Sequence, residues 1–423
     1  MEFSTTPSPS VNVIQKAQFL LEQQRHGDAE NLLREGLGRD PENPLLMVML
    51  AVALLGRELP GAAEAALLSA LDLDAEMPYA YYVLSLVQLH RGESDAALNS
   101  IIKAISLDPV APEFYALRAS IQLEKGQWQL AEESARRGLA LNPRHVGCLN
   151  VLGMALNASG QPESAETVMR SALSHNPLHA ESHANFGWTQ LRANQPRAAL
   201  ASFQEALRIN PNSENARTGL LQALNARNPL YRMLLRYFFS MTGLTLRRRW
   251  ILVLVALGLV QLLWAVQKIS PVLAPWALGA LVFYGLFLIL SWSGGELFNL
   301  TLMFHPLGKH ALSREERRLS LVIGLLFLGG VLLTGAGLWW EHYALTLSGI
   351  GLVMMMMPVS GASRVTRPGK RRVLGFLLGL AALLWTVGLA AGILISDQAI
   401  SGVYVPFLTL FLAVMWLNSL WNG

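Results

Sequence analysis

A pair of residues that recurs every 34 positions constrains the fold of this chain more than any other feature. Asp or Asn stands at six positions with constant spacing, and Pro follows it in five of them: Asp40-Pro41, Asp74-Ala75, Asp108-Pro109, Asn142-Pro143, Asn176-Pro177 and Asn210-Pro211. A fixed period of this length is typical of helical solenoids, in which each helix pair buries its apolar face only against its neighbours. The sequence therefore predicts an all-α array of stacked helix pairs in the N-terminal half.

Small residues recur at three further positions of the same period. The first set is Ala17, Ala51, Ser85, Ala119, Gly153 and Gly187; the second is Ala29, Ala63, Ala97, Ala131, Ala165 and Ala199; the third is Gly36, Ala70, Ala104, Gly138, Ala172 and Ala206. Antiparallel helices approach to about 8–10 Å only where small side chains meet. We therefore expect these residues to be the contact points of the helix pairs, with Gly92, Gly126 and Gly160 in the turns between helices.

Two segments carry a family resemblance most clearly: LNVLGMALNASGQPESAETVMRSALSHNP (149–177) and HANFGWTQLRANQPRAALASFQEALRINP (183–211). They resemble the tetratricopeptide repeat family, and the resemblance covers residues 10–227, about half of the chain. It implies a right-handed solenoid of six repeats, with Asn215 to Ala226 as a capping helix. The second repeat has Ala75 in place of Pro and Leu59-Pro60 within its turn, so we expect its local geometry to differ.

The resemblance implies that a protein or peptide partner binds the concave surface formed by the first helix of each repeat. As binding residues on that surface it implies Tyr79, Tyr82, Leu86, Asn150, Met154, Trp188 and Arg192, and the same face also carries Leu89, Glu113, Asn157 and Glu181. Aromatic side chains and Arg are frequent anchors of binding energy at interfaces. The alternative is that the two tyrosines and the tryptophan only pack between repeats. The Lys/Asn/Arg set with which chaperone-binding arrays hold a C-terminal carboxylate is not evident, which disfavours that ligand.

Residues 228–249 have the pattern of an amphipathic join. Leu230, Met233, Leu234, Tyr237 and Phe238 fall on one helical face, and Arg232 and Arg236 lie on its flank. This pattern favours a helix in the lipid headgroup layer. The expected lipid-interface residues are Arg232, Arg236, Arg247, Arg248, Arg249, Arg371 and Arg372. Docking on the last repeat as a second cap is the alternative.

Residues 250–423 are rich in apolar stretches, and the mean hydropathy of the whole chain is +0.35. Six stretches approach the length needed to cross a hydrocarbon layer of about 30 Å. They run approximately over 250–266, 271–292, 319–340, 343–357, 373–395 and 400–421. Basic residues cluster before the first stretch, between the second and third, and between the fourth and fifth. The positive-inside rule then predicts a six-span inner-membrane domain with both termini cytoplasmic.

The distribution of charge disfavours nucleic acid as a partner. From Asn228 onward the chain has 15 Lys and Arg against 5 Asp and Glu, which leaves 18 against 24 for the first half. An acidic solenoid lacks the clustered basic face that binds phosphates. The single cysteine, Cys148, excludes an intrachain disulfide and favours a reducing compartment. The first ten residues do not have the pattern of a signal peptide, so we expect the repeats in the cytoplasm.

The sequence gives little support for catalysis, and we expect no metal or cofactor. His305 and His310 are five apart, which does not place them on one helical face. No ionisable residue stands near the middle of a predicted span, as ion-coupled transport usually requires. The small-residue pairs Gly375/Gly379 and Gly388/Gly392 favour close helix contacts within the bundle or in a homo-oligomer.

The sequence therefore predicts a membrane-anchored scaffold that recruits or assembles a protein partner at the inner membrane. The segment 296–318, together with the join, resembles parts of bacterial membrane proteins that carry an N-terminal tetratricopeptide array, a resemblance that implies no activity. One alternative is a regulatory or pore subunit of a transporter or channel, gated through the repeats. Another is a membrane enzyme with a polar cluster between His305 and Arg318.

Overall fold

The computed structural model describes residues 9–242, 246–363, 365, 368–394, 406, 407, 409–415 and 417, and all of its described elements are α-helices. Packing divides the chain into two compact units. The first comprises Met1–Ala193 with Arg208–Pro211, and the second comprises Asn194–Leu207 with Asn212–Gly423.

The helices of the repeat region follow the 34-residue period without a slip. They are α1 (Pro9–Glu22), α2 (His26–Arg39), α3 (Pro44–Gly56), α4 (Pro60–Leu73), α5 (Pro78–His90), α6 (Ser94–Leu107), α7 (Pro112–Glu124), α8 (Trp128–Leu141), α9 (Val146–Ala158), α10 (Pro162–His175), α11 (Ala180–Arg192), α12 (Pro196–Ile209) and α13 (Glu214–Asn225). Within the first unit, odd-numbered helices are the first of each pair, and α1, α3, α7 and α9 each pack against both helices that follow them in the chain.

The recurring Asp or Asn ends the second helix of each repeat. Where the structure gives its angles before a proline, φ lies between −139° and −134° and ψ between 77° and 99°, outside the α region that is disfavoured for a residue preceding proline. Asp74, which precedes Ala75, has the same conformation, and Pro60 is simply the first residue of α4. The Asp74 carboxylate accepts a hydrogen bond from the amide of Glu76 (3.0 Å), as Asp108 does from Val110. The second repeat therefore ends with the same side-chain turn as a repeat that has the proline, so the expectation of a different geometry there is wrong.

The turn inside each repeat uses one left-handed residue at a fixed position. Gly92, Gly126 and Gly160 have φ between 70° and 80°, as expected for glycine. The equivalent residues of the other repeats are Gln24, Glu58 and Asn194, and they have the same sign of φ, near 60°. The turn is therefore imposed by the packing of the helix pair and does not depend on glycine.

The small-residue positions lie at the helix contacts, as predicted. Ala17, Ala51 and Ala119 have no exposed surface, and neither do the six alanines of the second set. Ser85 is also buried, and its hydroxyl donates a hydrogen bond to the carbonyl oxygen of Ala97 at 2.8 Å. The first and second helices of this repeat thus touch at two of the predicted positions.

The second unit joins α12 and α13 to the C-terminal helices. These are α14 (Pro229–Thr242), α15 (Leu246–Ile269), α16 (Ala274–Leu302), α17 (Gly308–Ala311), α18 (Arg314–Trp339), α19 (Tyr343–Ser363) and α20 (Pro368–Leu394). In the described part of the chain, four helical segments are long and apolar enough to cross a membrane: Ala274–Leu302, Arg314–Trp339, Tyr343–Ser363 and Arg372–Ala390. Where the sequence predicted six such spans, the described residues therefore contain four. Of the other two, α15 contributes only the shorter apolar segment Leu254–Ile269, and the stretch 400–421 lies largely outside the described residues.

Helix α14 docks on α16. The ring of Tyr231 meets Phe298 edge-on at 5.0 Å, and the ring of Tyr237 meets Phe287 at 5.1 Å. The later residue of α14 contacts the earlier residue of α16, so the two helices pack antiparallel. Leu234 was predicted on the same apolar face as Leu230 and Phe238, but it is buried in this contact, whereas those two side chains are exposed.

The exposed face of α14 includes Leu230, Met233, Tyr237 and Phe238. The opposite face is covered by α16.

Helix α13 is bound to the start of α18 by one arginine. Arg217 donates hydrogen bonds to Glu316 and to the carbonyl oxygen of Ala311, both at 2.7 Å, and it also pairs with Glu214. The hydrogen bonds to Glu214 and Glu316 raise the pKa of Arg217, and the hydrogen bond from Arg217 lowers the pKa of Glu214. A second link joins the amide of Asn225 to Asn299 of α16 at 2.9 Å.

The long apolar helices α18 and α19 cross in close contact. A Cβ on Gly330 would lie 2.8 Å from the carbonyl oxygen of Gly349, and a Cβ on Gly349 would lie 2.6 Å from that of Gly330. The predicted small-residue contact at Gly375 and Gly379 is not formed within the described residues, where both positions face open space. Small residues therefore do join two membrane helices, but on α18 and α19.

Candidate functional site

A cleft of about 690 Å³ runs along the first helices of four successive repeats in the first unit. It is lined from α5, α7, α9 and α11 by Tyr82, Glu113, Ala116, Leu117, Ser120, Leu123, Glu124, His145, Gly147, Asn150, Val151, Met154, His179, Glu181 and Asn185. The period places equivalent residues of successive repeats in a row, so side chains far apart in sequence line one surface. A cleft of this size is typical of ligand sites.

Aromatic rings form one end of the cleft. Tyr82 stacks on Tyr79 at 5.7 Å and on Phe114 at 5.3 Å, and Phe114 is buried while Tyr79 is 46% exposed. Burial raises the pKa of both tyrosines, and the carboxylate of Glu113 adds to the effect. Both hydroxyl groups are therefore neutral near pH 7. The stack presents apolar area together with two hydroxyl groups to a ligand.

The charged residues of the cleft are acidic. Glu113, Glu124 and Glu181 line it and are exposed, and no Lys or Arg lines it. None of the three forms an ion pair with a described residue; Glu124 accepts only a long hydrogen bond (3.4 Å) from Ser94. The surface therefore carries three negative charges that no cation of the described chain neutralises.

A buried amide forms part of the floor. Asn150 is 5% exposed, and its amide donates a hydrogen bond to the Ser182 hydroxyl at 2.9 Å, which joins α9 to α11. Two turns later on α9, Asn157 makes the same kind of bond to Thr189 at 2.6 Å. The Asn150 carbonyl oxygen is buried and has no hydrogen-bond partner in the described part of the chain. This orphaned acceptor lies at the cleft, where a ligand N–H could reach it.

The pair of Cys148 and His145 does not have the chemistry of a nucleophile and its base. Burial raises the pKa of the Cys148 thiol to about 12, and the thiol donates to the carbonyl oxygen of Pro112 at 3.3 Å. Burial lowers the pKa of His145, whose Nδ1 accepts the amide N–H of Cys148 (3.1 Å) and caps α9. A thiol that stays protonated is a poor nucleophile. The two residues are part of the cleft wall and of the helix cap.

Of the seven residues predicted for the groove, Tyr82, Asn150 and Met154 line the cleft, and Tyr79 stacks beside it. Leu86 packs on the core under α5 and α6, whereas Trp188 and Arg192 are half-buried and lie outside the cleft. Burial lowers the pKa of Arg192.

The sequence reasoning missed His145, His179 and Glu124 as lining residues. The period itself gives a signal for the first two, since both histidines stand directly before a first helix and cap it through Nδ1.

The predicted lipid-interface arginines are described only in part. Arg232 is half-buried, and Arg236 and Arg372 are exposed. The side chains of Arg247, Arg248, Arg249 and Arg371 lie outside the described residues.

Within the described residues there is no group of three His, Cys, Asp or Glu side chains that could hold a metal ion. The Nδ1 atom of His305 accepts backbone amides of Leu307 and Gly308 at 3.3 and 3.4 Å. This histidine therefore shapes the turn before α17.

Stacked antiparallel helix pairs with a cleft along their first helices define the class of helical-repeat scaffolds, which bind other proteins. Residues 14–214 are tetratricopeptide repeats: the model of that family matches 14–78, 48–112, 82–146 and 150–214.

Several solved structures are similar to part of this chain at low identity. The Cut9–Hcn1 complex of the APC/C matches 52% of this chain at 18% identity and a TM-score of 0.46, and this chain covers 43% of it. The protein TTC0263 of Thermus thermophilus matches 43% of the chain at 21% identity and a TM-score of 0.40, with 99% of its own length covered. PilF of Pseudomonas aeruginosa matches 49% at 17% identity and a TM-score of 0.41, with 95% of its length covered. No curated protein sequence matches the chain.

Proposed function

We propose that this protein is a membrane-anchored scaffold that binds a basic and apolar segment of a protein partner in the cleft and holds it at the inner membrane. The observation that carries the proposal is the combination of three unneutralised carboxylates with an aromatic stack in one cleft. Lys or Arg side chains of a partner would pair with Glu113, Glu124 and Glu181. Apolar side chains would bury against Tyr82, Leu117 and Met154.

The energetics favour a peptide-like ligand over a small cation. Exposed ion pairs contribute only about 0–1 kcal/mol each, so the carboxylates mainly select the partner and speed its approach. Burial of apolar area contributes about 25 cal/mol per Å², and large aromatic side chains dominate such contacts. A segment laid along four repeats would use both effects at once.

The first prediction concerns the aromatic wall and the charge of the cleft. Tyr82→Ala should weaken binding of basic, leucine-containing peptides to the full-length protein by about 1–3 kcal/mol, because it removes the centre of the stack. Glu113→Gln should weaken binding less and should also reduce its dependence on salt. Fluorescence anisotropy with a labelled peptide library measures both effects, and peptides with Asp in place of Lys should not bind.

Controls separate binding from folding. Tyr82→Phe keeps the stack and should retain most of the affinity, and Glu133→Gln and Leu130→Ala change exposed residues of α8, outside the cleft. If Tyr82→Ala lowers the melting temperature in step with affinity, Tyr82 is a core residue and the groove assignment fails. Equal binding of acidic and basic peptides contradicts the proposed partner chemistry.

The contacts of α13 support an orientation in the membrane. Arg217 and Asn225 attach this helix to the end of α16 and the start of α18, so α13 lies on the same side as the segment 303–318. That segment carries Lys309, Arg314, Arg317 and Arg318, as cytoplasmic loops do. The chain must then reach the far side before α16 begins, and α15, with 24 residues, is long enough to take it there.

The second prediction tests this orientation. Alkaline phosphatase inserted at Glu341, in the short turn between α18 and α19, should be active because the enzyme folds only in the periplasm. The same enzyme fused after Gly423 should be inactive, because we propose that the apolar stretch 400–421 crosses as a further span and returns the chain to the cytoplasm. An active C-terminal fusion would contradict cytoplasmic placement of both termini, and an inactive one at Glu341 would contradict the crossing of α15.

A further inference from the structure

A second cleft, in the second unit, is strongly basic. It has a volume of about 610 Å³ and is lined by Asn194, Gln195, Pro196, Arg197, Ala198, Arg227 and Arg232. Its residues come from the start of α12, the end of α13 and the first turn of α14. Three of the seven are arginines, and none is acidic.

The three arginines have no acidic partner in the part of the chain that the structure describes. Their side chains form neither a hydrogen bond nor an ion pair there, whereas Arg217 and several arginines of the first unit are paired. Arg232 is half-buried, while Arg197 and Arg227 are exposed. Like charges that share a cleft repel one another, and an anion between them removes that repulsion. The cleft thus has the electrostatics of a site whose counterion comes from outside the chain.

The backbone adds to this field. The cleft includes the first turn of α12, a helix of 14 residues whose first turn has no acidic side chain. The amides of a first helical turn lack acceptors within the helix, and the helix dipole favours negative charge there. Arg197 stands in this turn, where a cation is unfavourable unless an anion accompanies it.

We propose that this cleft binds a phosphate group. Guanidinium groups bind phosphate oxygens with two parallel hydrogen bonds, which makes Arg the side chain best suited to this ligand. The proposal is independent of the peptide cleft, which lies in the other unit and has the opposite charge.

The phosphate could belong to a membrane lipid or to a soluble compound, and the surroundings favour the lipid. Arg232 is one residue from Tyr231, which packs on Phe298 near the end of α16. On α14, the exposed Leu230 and Met233 stand beside Arg232, so apolar area suited to an acyl chain adjoins the cleft.

The test uses full-length protein in detergent, titrated with phosphatidylglycerol in one arm and with inorganic phosphate in the other. Native mass spectrometry counts bound lipid, and the shift in melting temperature reports either ligand. The triple variant Arg197→Gln/Arg227→Gln/Arg232→Gln should lose at least about tenfold in affinity, since each arginine supplies a charged hydrogen bond. The control triple variant Arg136→Gln/Arg137→Gln/Arg144→Gln, in the first unit, removes the same charge and should bind as the parent protein does.

Each outcome decides the proposal. If the parent protein binds both probes, or the lipid alone, and the triple variant does not, the site is supported and its phosphate comes from a lipid. If the parent binds inorganic phosphate alone and the triple variant does not, the site is supported and its phosphate comes from a soluble compound. Equal binding by the parent and the triple variant overturns the site, and so does an equal loss in the control. The ligand-free triple variant should melt no lower than the parent because it has lost only repulsion, and Arg232→Lys should keep part of the affinity.

Discussion

Gly330→Val is expected to lower the stability of the membrane helices by about 3 kcal/mol, near the upper end of the range for overpacked sites. The added Cβ would lie 2.8 Å from the carbonyl oxygen of Gly349 and 3.1 Å from the amide nitrogen of Val353. Both atoms belong to the backbone of α19, so no side-chain rotation relieves the clash. The helices must separate, and the packing along the whole crossing weakens.

The matched control is Gly335→Val, five residues further along α18. A Cβ there meets no atom within 4 Å, so the same substitution should leave the melting temperature almost unchanged. The measurement is thermal unfolding of the full-length protein in detergent, followed by the fluorescence of its 11 tryptophans. Similar effects of the two substitutions would show that the crossing of α18 and α19 does not determine stability.

Phe203→Ala is expected to cost about 3–5 kcal/mol, the range for removal of a buried phenylalanine. The Phe203 side chain is fully buried. Its ring packs directly against Gly219 of α13, which has no side chain to occupy that space. A Cβ on Gly219 would lie 2.7 Å from Cδ1 of the ring, so the ring fills the space that this glycine leaves on α13. The cavity left by alanine should loosen α13 from α12.

Hydrogen exchange of the full-length protein measures this effect at α13, with thermal unfolding as a second readout. Phe19→Ala is the control, since Phe19 on α1 is 58% exposed and its removal should change stability by less than about 0.5 kcal/mol. Unchanged protection of the α13 amides in Phe203→Ala would contradict the role of this ring. Gly219→Ala should loosen the same contact from the other side.

The two clefts show which parts of a site the sequence could predict. The period identifies the first helix of each repeat, and therefore Tyr82, Asn150 and Met154 were predicted for the groove and line the cleft. Trp188 and Arg192 were predicted on the same grounds but lie outside it. Repeat position fixes the face of a helix, but the extent of a cleft depends on the side chains of neighbouring repeats. The sequence did not predict that Arg197 and Arg227 lie in one cleft, because 30 residues separate them and nothing in the repeat pattern connects them.

The sequence by itself determined the helical repeats, their boundaries and the small contact residues. Each of these follows from local rules that recur every 34 residues: Asp or Asn before proline ends a helix, and alanine or glycine permits close contact. Apolar stretches likewise revealed the C-terminal helices from composition alone.

Only the tertiary structure decided how these parts combine. Helices α12 and α13 have the sequence of the end of a last repeat and its cap, yet both belong to the unit of the C-terminal helices, and α13 packs on α16 and α17. The cause is a small set of contacts between residues far apart in sequence, such as Arg217 with Glu316 and Asn225 with Asn299. In the same way, the close crossing of α18 and α19 uses Gly330 and Gly349, not the predicted pair Gly375 and Gly379. A spacing rule marks which glycines permit contact, but the partner helix is chosen by packing in three dimensions.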